Sequence, residues 1–405
     1  MCPTNEPVEV PHPAIAVVLP RRETVGGPHS GAVSLTIAAF GHASAFRERL
    51  LVMGGARRGD FPLRYHDVGA DERRLLGLPW PFWRPTGMRY GDAVARAIAS
   101  HGCGLVEVHN RARLFGHLHR RLGARIPLCL HLHNDPQTME GSRTVADRAD
   151  ILARAALVYC VSGYVRDRFV EGIGGPTERV VVLYNGIPVL PAIAGPRQNV
   201  ILFVGRLIPE KGVGELFDAL ARIGRELPDW RAVIVGRPAR HGRGRYARAI
   251  ADLGSVWGER LVYHPSLSHA EVLRTCAGAA ITVVPSRWQE PFGLVALEGL
   301  ASGSAVIASR SGGLREVVGQ AGLLLPDVTA DAIAHAILEL AHDPRRREAL
   351  GRAGRERVAA RFEIGLLARQ LDGRRRTLLA EHDSPAIGAA AGRGSCSPVA
   401  HADRD

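Results

Sequence analysis

VILFVGRLIPEKGVG, residues 200–214, runs from five apolar residues through a glycine into a charged loop and then a helical segment. An apolar run bounded by turn signals reads as a buried parallel strand, and residues from about Gly214 to Glu226 have helical spacing. The same unit recurs on both sides. After it, apolar runs fall at Ala232–Val235, Leu261–Tyr263, Ala280–Val284 and Val306–Ala308. Helical stretches separate them, near Tyr246–Leu253, Ala270–Cys276, from about Phe292, and at Asp331–Ala341. Before it, strands are expected at Ala14–Leu19, Leu105–Val108, Leu128–His131, Leu157–Cys160 and Val180–Leu183. Helices are expected there at Thr36–Leu51, Asp92–Ser100, Arg113–Leu122 and Thr144–Ala155. This alternation predicts an α/β architecture with mainly parallel sheets.

The chain has 405 residues, too many for one core, and Pro188–Gln198 (PVLPAIAGPRQ) holds three prolines and a glycine. A linker is therefore expected there, between two doubly wound domains whose strand ends face a common cleft. Residues from about 384 onward are rich in Gly, Ala, Ser and Pro and read as a mobile tail.

Composition excludes several classes. With 46% apolar and 23% charged residues the chain is globular, and no apolar run approaches the roughly 18 residues of a membrane span. The start, MCPTNEPVEVPHP, has no basic region and is not expected to be a secretory signal. Six cysteines (2, 103, 129, 160, 276, 396) include no CxxC pair, which fits a reducing cytoplasm. Of the 52 basic residues only Lys211 is lysine, and Gly212 follows it, so a GKS/GKT phosphate loop is ruled out. The net charge of +12 points to an anionic partner, whether nucleotide phosphates, nucleic acid or an acidic membrane. With 5% aromatic residues and no nucleic-acid-reading motif, nucleic acid is not expected.

Four segments could carry chemistry. In residues 283–316 a buried strand ends at Pro285, and Glu290 stands before Pro291 and a helix start. The free N–H groups near Gly293 and Leu294 could hold an anion, and Glu298 lies further along that helix. The two glutamates could be a helix cap and a solvated face residue, or hydroxyl-binding carboxylates beside a phosphate site. They sit too close on one turn and helix for a glycosidase pair. In residues 204–214, Arg206 and Lys211 project from a strand-end loop, a guanidinium fork and a compact ammonium suited to phosphate. Gly26 and Gly27, in VGGPHSG (25–31), permit close backbone approach to a ligand. Among His109, His117, His119, His131 and His133, the last sits at a strand terminus and is the candidate functional histidine. No carboxylate cluster supports a metal there, and His117 and His119 are expected on a solvated basic helix (RARLFGHLHRR, 111–121).

GRLIPEKG (205–212), PSRWQEPFGLVALEGLASGSAVIAS (285–309) and SGGLREVV (311–318) together resemble the retaining nucleotide-sugar glycosyltransferases of family 4. LHLHNDP (130–136), CVSGYVRDRF (160–169) and LYNGIPV (183–189) extend the resemblance, which is nearest the spore-coat and cell-surface polysaccharide transferases. Pro188 stands where the family usually has Asp, and Ile208-Pro209 where polar residues are common. The resemblance implies a GT-B fold of two facing Rossmann-like domains. Residues 1–190 would be the acceptor side and 191–365 the nucleotide-sugar side, with a helical segment 366–383 returning to the first domain and a disordered tail 384–405.

It also implies roles. Arg206 and Lys211 would hold the donor diphosphate together with the amides of Phe292, Gly293 and Leu294. Glu290 and His133 would contact the transferred sugar, Glu298 the ribose, and Gly26 and Gly27 would line the cleft. No metal and no other cofactor is expected. The donor would be a nucleotide-diphosphate sugar and the acceptor a glycan or lipid-linked hydroxyl. The protein would be cytoplasmic, with peripheral contact to an anionic inner leaflet through Arg111, Arg113, Arg120, Arg121 and Arg125. A non-catalytic nucleotide- or nucleic-acid-binding protein, or a nucleotide-sugar epimerase, is the alternative on such a fold.

Overall fold

The computed structural model describes residues 13–27, 30–70, 86–190, 197–239 and 242–383. The first sheet has strands β1 (Ala14–Val18), β2 (Leu50–Gly54), β3 (Arg64–Asp67), β4 (Cys103–His109), β5 (Leu128–Leu132), β6 (Leu157–Cys160) and β7 (Val180–Val182). Their order is β3-β2-β1-β4-β5-β6-β7. The second has β8 (Gln198–Val204), β9 (Arg231–Val235), β10 (Leu261–His264), β11 (Ala279–Val284), β12 (Ala305–Ser309) and β13 (Gly322–Leu325), ordered β10-β9-β8-β11-β12-β13. Every pairing within these sheets is parallel.

Helices α1 (Ala32–Ala43), α2 (Thr86–Ser100), α3 (Ala112–Leu122), α4 (Val145–Arg154) and α5 (Gly163–Val170) belong to the first domain. Helices α6 (Val213–Ile223), α7 (Arg243–Trp257), α8 (His269–Gly278), α9 (Leu294–Ser302), α10 (Leu314–Val318), α11 (Ala330–His342) and α12 (Pro344–Arg361) belong to the second. The α/β, doubly wound reading therefore holds for both halves. Strands β1, β4, β5, β11 and β12 are buried throughout, which is why they appear in the sequence as continuous apolar runs.

Strand order reverses between β1 and β4 in one sheet and between β8 and β11 in the other. Ligands collect outside the carboxyl ends of strands at such points. The loops after these four strands carry Glu23, Arg111, Arg206, Lys211 and Glu290.

Two connections hold the halves together. Ile187 N donates to Phe362 O and Ile364 N to Ile187 O, at 2.9 and 3.1 Å, so the two crossings run side by side. Phe362 packs edge-on against Tyr184 and Phe292, which tilt toward each other, around them. Past this crossing, α13 (Ile364–Asp383) lies on the first domain. There Arg375 is buried, donating to both Glu107 oxygens at 2.9 and 2.8 Å and to Asp372 Oδ1 and Ser44 Oγ at 3.1 Å.

Several expectations need correction. The helix expected over Thr36–Leu51 ends at Ala43, and Leu50 begins β2. Ser44 is extended and gives its Oγ to Asp372 Oδ1 at 2.6 Å, which ends the helix; the following apolar run fills the place beside β1. Strand β3 is a half-buried edge strand without apolar alternation, and β13 and α12 also had no counterpart in the sequence reading. The helix expected from Phe292 starts at Leu294, because Gly293 turns the chain at φ +107° and Phe292 joins the aromatic cluster. His117 is not on a solvated face: its Nε2 meets the buried carboxylate of Asp92 at 3.0 Å. The segment 384–405 and linker residues 191–196 lie outside the described residues.

Candidate active site

Strand β8 ends at Val204, and the loop 205–212 carries Arg206 and Lys211 into a cleft of about 780 Å³ between the two domains. Gly212 closes this loop at φ +66°, where a Cβ would fall 1.9 Å from Pro285 O. Only glycine permits that approach, which sets the Lys211 loop against the loop after β11. Arg287 N donates to Glu210 O at 2.8 Å and ties the two loops together. Across this contact Lys211 Nζ meets Glu290 Oε1 at 2.5 Å and lies 5.5 Å from the Trp288 ring centre. Ser286 Oγ donates to the same carboxylate oxygen. Glu290 is only 5% exposed, so it is not a solvated cap; two donors hold it at the cleft floor. Arg206 is exposed on the cleft wall, and its guanidinium makes no hydrogen bond to the described residues.

Helix α9 points its N-terminus into the same space. Gly293 offers no side-chain cap, and Phe292, Gly293 and Leu294 line the cleft, leaving the first-turn N–H groups available to an anion. One turn on, Glu298 is 7% exposed and contacts His269 Nε2 at 2.8 Å. That hydrogen bond and charge hold the His269 pKa above its ordinary value, against a smaller opposing effect of burial. A raised folded-state pKa makes the pair fully present below the ordinary histidine value and lost as pH rises through the elevated one. The stability difference between wild type and His269→Ala should therefore be full below the ordinary histidine value of about 6.5 and shrink as pH rises above it. Urea unfolding across that range reads it directly, and a constant difference would mean no ion pair forms.

The opposite wall comes from the first domain. His133, just past β5, faces the cleft, while its Nε2 is 3.0 Å from His109 Nδ1. Burial pushes the His133 pKa down to about 4, and those of His109 and His131 well below the ordinary value. The three rings are thus neutral, and His109, His131 and Tyr159 stack at 4.2 and 4.3 Å. Asn110 turns the chain at φ +55°, and its Oδ1 accepts from His133 N at 3.2 Å. Contrary to the sequence reading, a carboxylate does stand beside these histidines: donor atoms of Glu107, His109 and His131 lie within 4.8 Å of one another. Both Glu107 oxygens are already held by Arg375.

Gly26 and Gly27 do not form the cleft wall. They adopt φ of +75° and +79° and pack against the 58–60 loop, where a Cβ on Gly26 would meet Gly59 O at 2.4 Å. From their loop Glu23 and Ser30 line the cleft instead. Sequence reading also missed Asn110, His269 and Ser286. Asn110 carries a local signal, since Asn tolerates the left-handed turn; Ser286 acts on Glu290 four residues on, and His269 acts through Glu298, 29 residues away.

Against this geometry, the family model described as "Glycosyl transferases group 1" matches residues 193–357, and "Glycosyltransferase Family 4" matches residues 39–189. A GDP-mannose-dependent alpha-(1-6)-phosphatidylinositol monomannoside mannosyltransferase of Mycolicibacterium smegmatis is 32% identical, over 65% of this chain and 74% of that protein. The chain is a GT-B glycosyltransferase of family 4 type. An uncharacterized glycosyltransferase of Methanocaldococcus jannaschii is 33% identical to the transferase over 49% of this chain, which thus spans about half (53%) of that relative. Anabaena HepE, solved with UDP and glucose, shares the fold with a TM-score of 0.71 at 20% identity, covering 90% of the transferase and 100% of that chain. Among the described residues no helix of the transferase is long and apolar enough to cross a membrane.

Proposed function

We propose that the transferase moves a hexose from a nucleoside-diphosphate donor to an acceptor hydroxyl with retention of configuration, without a metal, in assembly of a cell-surface glycan. The observation that carries this reading is one cleft wall built from Arg206, Lys211 and the α9 N-terminus, with Glu290 beside them and His133 opposite. As the bond from the anomeric carbon to the diphosphate breaks, negative charge grows on the departing phosphate. Those three groups stand ready to stabilise it in place of a divalent cation. The acceptor oxygen bonds to the anomeric carbon on the face the diphosphate leaves, and its proton passes to a phosphate oxygen. Glu290 holds sugar hydroxyls, His133 contacts the sugar from the other wall, and Glu298 anchors the ribose.

The mycobacterial relative is named for GDP-mannose and a phosphatidylinositol mannoside, which supports a hexosyl donor and a lipid-linked acceptor here. On this reading the enzyme works in the cytoplasm at the inner face of the membrane, with the basic side of α3 toward anionic lipid. The test is release of nucleoside diphosphate in a screen of UDP-, GDP- and ADP-sugars with EDTA present. Turnover in EDTA with at least one donor is the expected result. Turnover that stops on chelation and returns with Mg²⁺ or Mn²⁺ contradicts the metal-free route.

The two glutamates should separate kinetically. Glu290→Gln removes the partner of Lys211 at the reacting sugar and should lower kcat, whereas Glu298→Gln should chiefly raise the donor KM. Steady-state kinetics of both variants check this, and equal effects confined to KM would contradict the assignment.

A further inference from the structure

Strand register builds a row of rings behind the cleft wall. His109 on β4 pairs with His131 on β5, and His131 with Tyr159 on β6, so the three side chains share one face of the sheet. Glu107 stands on the same face two residues earlier on β4, where Arg375 of α13 holds both its oxygens. His133 follows His131 by two residues and carries the row to the cleft. Its ring lies 5.3 Å from that of His109, at 20°.

The contact between these two rings decides what His133 offers a ligand. His133 Nε2 is 3.0 Å from His109 Nδ1, so one of these nitrogens donates and the other accepts. Both rings are neutral, and each therefore carries a single N–H. His109 Nε2 is buried and has no hydrogen-bond partner among the described residues. A proton placed there would leave a buried N–H without an acceptor. Stranded donors are rarer in folded proteins than acceptors with a spare lone pair, and each costs its desolvation. With the proton on Nδ1 instead, His109 donates to His133 Nε2. That nitrogen is then an acceptor, and the one proton of the His133 ring belongs to Nδ1, the nitrogen left for the cleft. Two contacts keep the pair in place: His131 stacks on His109 at 4.2 Å, and Asn110 Oδ1 accepts from His133 N at 3.2 Å.

We propose that His109 is a positioning residue that holds His133 in the Nδ1–H tautomer, so that His133 presents a hydrogen-bond donor to the cleft and not a base. The tautomer stands on the geometry alone. The oxygen that receives this N–H, a hydroxyl of the transferred sugar, rests on the transferase reading. A neutral donor suits such an oxygen, because it orients the sugar and leaves the growing phosphate charge to Arg206, Lys211 and the α9 N-terminus.

The test reads the proton first. Nitrogen NMR of the full chain with isotope-labelled histidine, its His133 signals assigned by their loss in His133→Gln, should show Nδ1 protonated and Nε2 bare at neutral pH. His109→Leu removes the partner and should move His133 to the Nε2–H form or to a mixture. His109→Asn places an amide N–H where Nδ1 stood and should restore the Nδ1–H form. In turnover, His109→Leu should lower kcat about ten-fold with the KM for the sugar nucleotide within about two-fold, the loss of one oriented hydrogen bond. His109→Asn should recover most of that loss. A purely packing role would leave the His133 tautomer unmoved and would favour leucine over asparagine at a buried position. Wild-type His133 protonated at Nε2 overturns the assignment whatever the turnover, and this spectrum decides even where a variant fails to fold. His109→Leu that keeps the wild-type tautomer or the wild-type kcat overturns it too. The Nδ1–H form in a chain that releases no nucleoside diphosphate from UDP-, GDP- or ADP-sugars keeps the His109 assignment and overturns the transferase reading.

Discussion

Lys211→Ala is expected to lower kcat by about 10²–10³-fold while the two domains stay folded. Lys211 is the only lysine of the chain, and its Nζ sits 2.5 Å from Glu290 Oε1 on the cleft floor. An ammonium has three donors, so it can keep Glu290 and still reach a phosphate oxygen when a donor enters. Removing it takes a preorganised positive charge from the leaving diphosphate, a loss of about 2.7–4 kcal/mol in comparable sites. It also leaves Glu290 with Ser286 as its remaining side-chain donor, which adds some loss of stability. Lys211→Arg should be impaired too, because a planar fork does not fit where a compact charge meets Glu290 and passes the Trp288 face. Rapid-quench or steady-state kcat, with far-UV circular dichroism as the fold control, decides the matter. Near-wild-type kcat in Lys211→Ala, or a loss seen only in KM, would remove the central claim.

Arg375→Ala should produce the largest loss of stability, about 3–5 kcal/mol. The guanidinium is 3% exposed, bidentate to Glu107, and bonded to Asp372 and Ser44. Burial alone would lower its pKa, but Glu107 and Asp372 more than offset this and raise it, so the group stays charged inside the protein. Without it the buried Glu107 carboxylate loses its charge partner, and Asp372 keeps only Ser44 Oγ and Ala45 N as donors. Helix α13 then loses the ion-paired part of its polar anchor on the first domain and keeps the Asp372 contacts to Ser44 and Ala45, while Leu367, Leu371, Leu378 and Leu379 still pack there. Arg375→Lys should fall between, keeping charge and losing the fork. Urea unfolding measures the midpoint, and an Arg375→Ala midpoint equal to wild type would show that the network adds nothing.

Much of the molecule was legible before any coordinates. Strands such as Leu157–Cys160 and Arg231–Val235 announce themselves because burial on both faces requires an unbroken apolar run. The motifs around Arg206, Lys211, Glu290 and Glu298 also fall where strand-end loops and a helix start were expected. Strand β2 was not legible, since residues 50–54 continue an apolar pattern that fits a helix equally well. Edge strand β3, Arg64–Asp67, carries no pattern at all.

The amino-acid sequence by itself determined the α/β class, the two-domain division and the loops that carry charge toward a cleft. These follow from local burial and period, which each short segment records. Only the tertiary structure decided which of those groups meet. Lys211 finds Glu290 across 79 residues, His109 supports His133 across 24, and Glu107 receives Arg375 across 268. It also decided that Gly26 and Gly27 would pack beneath the cleft wall. Strand order sets these meetings, and strand order is fixed by how whole elements pack on one another, a choice that neither a period of two nor one of 3.6 residues encodes.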